Sequence, residues 1–143
     1  MKRIIYIPFD HLHRKFGALK DADPKDDLIV LVESARMTTG RNWHKERLFF
    51  LISSARHFAQ SLRDEGFTVE YVKAPTTVDG LKGIQKKYAK HQLVCAEPSS
   101  HRQCAQLKEF GATFVENDFF LTTRKHFFIW ADSQKSYLME TFY

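Results

Sequence analysis

HKERLFFLISSARHFAQSLRDEG, residues 44–66, is the stretch whose reading decides the fold. Leu48, Leu51, Ile52, Ala55, Ala59 and Leu62 recur at steps of three and four, which draws one apolar stripe along a helix. At 1.5 Å per residue, some 20 helical residues reach roughly 30 Å, the width of a small domain. Gly66, after Leu62-Arg63-Asp64-Glu65, is a left-handed stop signal. The start carries His44, Lys45 and Arg47, charges opposed to the positive end of a helix unless an anion or another domain sits there. Strand-like runs flank the helix, LIVLV at 28–32 and FTVEYV at 67–72. A long helix between two strands is the crossover of a parallel α/β unit.

Working outward, the same alternation continues. RIIYI at 3–7 is a first strand closed by Pro8. LIVLV has no polar alternation, the mark of a strand covered on both faces, and Glu33 closes it. Residues 34–43 read as a loop. Val78, Leu81, Ile84 and Tyr88 space out a further helix, LVCA at 93–96 is a strand, residues 101–110 form a helix stopping at Gly111, and ATFVE at 112–116 is a fifth strand. The expected fold is a Rossmann-like three-layer α/β/α domain with a five-stranded parallel sheet. It occupies residues 1–132, with residues 133–143 as a linker. A helix over 124–131, capped by Thr122 or Thr123, folds its Phe127 and Trp130 back on the sheet.

The totals bound the function. A chain of 143 residues with 43% hydrophobic content supports one domain with a real core. No run approaches the roughly 20 apolar residues of a membrane span. Cys95 and Cys104 are too few for a disulfide framework or a closed four-ligand metal site, so a reducing, cytoplasmic setting is expected. The net charge of +5 is an equally good account of solvated lysines and of an anionic partner.

Few patterns carry chemistry. The first strand leads into Pro8-Phe9-Asp10-His11, without the glycines of a dinucleotide or phosphate loop. His11 and His13 lack supporting ligands and read as solvated or capping histidines. Cys95 lies in an apolar strand, where burial makes a thiol inert. Asp10, Glu33, Glu97 and the 116–118 acids all fall at carboxyl ends of strands, where open parallel sheets place ligands. Their ordinary alternative role is to cap helix N-termini.

The order of motifs resembles the N-terminal domain of the prokaryotic photolyase-related proteins, the iron–sulfur branch of the cryptochrome/photolyase family. The matching residues are Asp10 and Leu12, IVLVE at 29–33, His44-Lys45, SxxRHFAxxLRxEG at 53–66, Glu97-Pro98 with Arg102, Phe120-Leu121, and the KSxxME–FY ending at 135–143. The resemblance implies an antenna-type α/β domain followed by a C-terminal helical domain that binds FAD and, through four cysteines, an iron–sulfur cluster. Repair of ultraviolet-damaged DNA or light signalling, and any DNA contact, would belong to that domain. The resemblance also implies a lumazine-type antenna chromophore at the carboxyl ends of the first two strands. Asp10 and Glu33 would bond its ring or ribityl chain, with Met37, Trp43 and Leu51 as apolar walls. The chain departs from the family pattern at Phe9, Met37, Gly40 and Trp43, all in the pocket, and at Ser99 to His101. The alternative is a non-enzymatic interaction module that docks a partner domain, without chromophore, through the aromatic end and the cationic start of the long helix.

Overall fold

The computed structural model describes residues 2–142. Five strands, β1 (Arg3–Tyr6), β2 (Asp27–Ser34), β3 (Thr68–Ala74), β4 (Gln92–Ala96) and β5 (Thr113–Val115), form one sheet in the order β3-β2-β1-β4-β5. Every neighbouring pair is parallel. Five helices connect or follow them: α1 (Ala35–Thr39), α2 (Lys45–Asp64), α3 (Thr77–Lys87), α4 (His101–Glu109) and α5 (Arg124–Asp132). The three-layer α/β/α reading therefore holds.

Alternation along the strands explains the two layers. Ile5, Ile7, Ile29 and Leu31 face Ala55, Ala59 and Leu62 of α2, while Ile4, Leu28, Val30 and Val32 face Leu81 and Ile84 of α3 and Leu107 of α4. The LIVLV run is buried throughout because it has helices on both faces. Register is fixed at the amino end of the sheet. Arg3 pairs with Asp27 across β1 and β2, its Nε donating to Oδ1 at 2.8 Å, and Asp27 is almost wholly buried. Burial raises the Asp27 carboxyl, but the Arg3 hydrogen bonds and charge outweigh it and hold it below its ordinary value.

Two helices end in the same way. Gly66 has φ +91° and Gly111 φ +89°. In the first case Phe67 N–H donates to the Leu62 carbonyl at 3.0 Å and Gly66 N–H to that of Arg63 at 2.9 Å. In the second, Ala112 N–H reaches Leu107 and Gly111 N–H reaches Lys108 in the same pattern. Both are Schellman stops, which need a residue free of the Cβ penalty at positive φ.

Three expectations are corrected. Residues 34–43 are not wholly loop, because Ser34 caps the short helix α1 by accepting from Met37 N–H at 3.2 Å. The start of α2 needs no outside anion: His44 is its N-cap, with Nδ1 accepting from Glu46 N–H at 3.4 Å, and Glu46 supplies the first-turn acid. Phe127 and Trp130 of α5 do not sink into the sheet. Only Ala131 of that helix is buried, and Phe127, Trp130, Tyr137 and Phe142 pack on one another. Thr123 is the cap, as one of the two expected threonines.

Helix α3 approaches the sheet through Gly80. A Cβ built there lies 2.6 Å from Val32 Cγ1, a buried side chain with no room to retreat. Gly80→Ala gains helix propensity of about 1 kcal/mol but overpacks this contact, so we expect a net loss of about 1–2 kcal/mol, measured by urea denaturation.

Candidate functional site

The carboxyl end of the sheet gathers most of the polar groups that sequence singled out. Glu33 ends β2 with its side chain 12% exposed. Arg56, on the turn of α2 beside Ala55, donates to it through Nε at 3.2 Å and Nη2 at 2.9 Å. Tyr71 of β3 donates its hydroxyl to the same Oε2 at 2.7 Å, and Lys73 stands 3.8 Å from Oε1. Burial pushes the Glu33 carboxyl up, yet the Tyr71 and Arg56 hydrogen bonds and the nearby cations prevail and hold it below its usual range. Burial and the Glu33 hydrogen bond push the Tyr71 phenol up to about 12. The result is a carboxylate that stays charged and a phenol that stays a donor.

The other expected residues lie on the segments that follow β1 and β2. Asp10 is exposed in the turn after β1, Met37 is half-buried on α1, Trp43 precedes α2, and Leu51 is half-buried in the second turn of α2. Arg47 and Arg41 stack over the Trp43 ring, 4.4 and 5.8 Å from its centroid. No hydrogen bond, ion pair or ring contact among the described residues joins two of the five. Glu33 Oε1 accepts from Arg56 at 3.1 Å with Lys73 3.8 Å away, and Asp10 makes no hydrogen bond or ion pair among the described residues. Both carboxylates are acceptors, so the complement of each is an N–H or O–H group. Sequence reasoning missed Arg56 and Tyr71. Register was the available signal, since Tyr71 aligns with Leu31 and so faces α2 as that residue does.

The strand-end acids do not cap helices. Ser34, His44, Thr76, Ser100 and Thr123 do that. Glu97 instead pairs with Arg124 at 3.3 Å, and Asp118 accepts from Gly17 N–H at 2.6 Å. Cys95 is buried and its thiol is pushed up to about 12 by that burial, which makes it inert. Among the described residues no cluster of three or more His, Cys, Asp or Glu is placed to hold a metal ion, and no helix is long and apolar enough to cross a membrane.

Parallel sheets offer a crevice where the strand order reverses, here between β1 and β4. In this chain it is filled by the protein itself. His11, expected as a solvated or capping residue, is only 4% exposed and stacks on Phe119 with ring centroids 4.5 Å apart. Phe16 and Ala96 close the rest, leaving no room for a water molecule. His13 is exposed and accepts from Lys15 N–H at 3.2 Å.

His11 Nδ1 has no hydrogen-bond partner, and burial lowers the ring's pKa from its ordinary 6.5 against the weaker pull of Asp10. A depressed histidine pKa means that the unfolded chain takes the proton first, so stability falls as pH drops below about 6.5. His11→Phe removes both the unpartnered nitrogen and the titration. We expect it to gain about 1 kcal/mol near pH 8 and more near pH 5.5, read from urea midpoints at the two pH values.

Comparison with known proteins agrees with this architecture. A family model described as deoxyribodipyrimidine photo-lyase-related protein matches residues 5–143. The whole chain aligns, at 30% identity over 155 residues, with a (6-4) photolyase of Agrobacterium fabrum strain C58, of which it covers 31%. The chain thus spans less than a third of that relative's length. With an all-parallel α/β sheet and a family match that runs from β1 past α5, the chain belongs to the deoxyribodipyrimidine photo-lyase-related protein family.

Proposed function

We propose that this chain is the light-harvesting or supporting N-terminal domain of a photolyase-like protein, acting in light-dependent DNA repair or light signalling in the cytoplasm. The observation that carries the chromophore reading is the fixed Glu33 carboxylate at the carboxyl end of β2, with Asp10 following the neighbouring β1 and making no hydrogen bond or ion pair among the described residues. A lumazine-type group would be held by Glu33 and Asp10 at its polar edge and by Met37, Trp43 and Leu51 along its faces. When bound it would supply light absorption and energy transfer. The protein's part is to orient it: Arg56 and Tyr71 hold Glu33 charged and fixed, which costs no reorganisation on binding. Two cysteines do not fit a four-thiolate cluster, so an iron–sulfur centre and FAD would sit in a helical partner domain outside this chain. DNA contact would belong to that domain too.

The test is an absorption spectrum of protein purified from a host that makes lumazines and flavins. We expect a visible band that survives dialysis and is lost in Glu33→Leu, with the fold retained by circular dichroism. A colourless protein that also fails to take up added lumazine overturns chromophore binding.

A second reading, a module that docks a partner domain without chromophore, is favoured by a specific observation. Phe128 and Ile129 near the end of α5 and Tyr137, Leu138 and Met139 after it are each more than half exposed, and Tyr137 packs on Trp130 of that helix. Singly exposed apolar groups are ordinary, but several together mark a surface to be covered. In the longer protein, backbone amides of 124–132 should exchange with deuterium at least tenfold more slowly than in the 143-residue chain. Equal exchange in both counts against docking.

A further inference from the structure

The groove between β5 and α5 is separate from every residue assigned above to a chromophore. Its volume is about 600 Å³, within the range of small-molecule sites, roughly 300–1,000 Å³. Phe114, Phe120, Phe127 and Phe128 form its walls. Phe120 and Phe128 are 58% and 60% exposed, so two of the large rings lining the groove stand open to water.

The charges of the groove are unequally satisfied. Glu97 and Arg124 neutralise each other at 3.3 Å, and Arg124 also donates to the Pro98 carbonyl at 3.2 Å. Lys125 and Glu116 line the same groove and have no hydrogen-bond or ion-pair partner among the described residues. Lys125 sits in the first turn of α5, where the positive end of the helix adds to its charge. One open cation, one open acceptor and aromatic walls describe a complementary molecule: flat, aromatic, carrying one anionic group and one N–H donor.

We propose that the β5–α5 groove is a binding site for a small planar aromatic anion, its ring between the phenylalanines and its anionic group on Lys125. The site shares no residue with Asp10, Glu33, Met37, Trp43 and Leu51, so its fate does not depend on the chromophore reading.

The probe is 8-anilinonaphthalene-1-sulfonate, which has the rings, the sulfonate and the N–H, titrated by fluorescence into the 143-residue chain. N-phenyl-1-naphthylamine, the same rings without the charge, serves as its comparison. We expect one dye per chain. Lys125→Glu should weaken the sulfonate about tenfold and leave the uncharged dye unchanged. Phe128→Ala should weaken both. Phe49→Ser, which removes a more exposed phenylalanine from α2, should change neither. Circular dichroism of each variant separates loss of binding from loss of fold. Several dyes per chain, no response to Lys125→Glu, or an equal loss in Phe49→Ser would overturn the proposal.

Discussion

The clasp of Glu33 by Arg56 and Tyr71 is the interaction on which the working end of this domain depends. It joins β2, α2 and β3 where close packing stops. Below it, Ala55 and Ala59 let α2 lie flush on the sheet, and Leu62 and Phe67 close the bottom. Above it, α2 has no sheet to lie on. Its 20 residues run about 30 Å, whereas the eight residues of β2 run only about 26 Å. The part of α2 before Arg56 rises about 16 Å, roughly three turns, and Phe49 and Phe50 within it are 75% and 69% exposed. A charged anchor at the last point of contact fixes the angle of that part without demanding apolar surface. Breaking it would leave a mostly buried carboxylate or phenol unpaired, which is costlier than the bond itself is worth.

That geometry also explains what could be read from sequence. The period of the α2 stripe identified the helix, its stop at Gly66 and its place as a crossover, because those depend on local backbone preference. The depth of each stripe residue was not legible. Leu48, Leu51 and Ile52 share the phase of Ala55, Ala59 and Leu62 but are only half-buried, since burial depends on how long the neighbouring strands are. Residues 35–39 escaped as a helix because one turn has no period to detect, and only the Ser34 cap gives it away. His11 was misread for a similar reason. A histidine in a polar stretch looks solvated until Phe119, over a hundred residues away, is brought against it.

The candidate site divides along the same line. The strand-end positions of Glu33 and Asp10 were legible because the carboxyl ends of parallel strands lie at one edge. Arg56 and Tyr71 were not, since they matter through what they hold rather than through their own position. The family motif RHFAxxLRxEG contains Arg56 and reads as a scaffold signature. Its arginine is part of the site's support, so scaffold and site are less separable here than motif reading suggests.

Doubly wound sheets usually receive ligands at the reversal of strand order, and this chain has filled that place with His11, Phe16 and Phe119. The plug is tied down by Asp118, which holds the backbone of Gly17 while the adjacent Phe119 stacks on His11. A filled centre leaves two flanks at the same sheet edge, the β2–α2 side with its clasped Glu33 and the groove between β5 and α5. The first presents a fixed carboxylate and an arginine-covered tryptophan; the second presents edge-packed phenylalanines and a lysine with no ion pair among the described residues. These are different chemistries, set by the two different helices that border them. A plugged switch point therefore does not make the fold inert. It splits one expected site into two flanking surfaces that differ in the charge and shape of what they can receive.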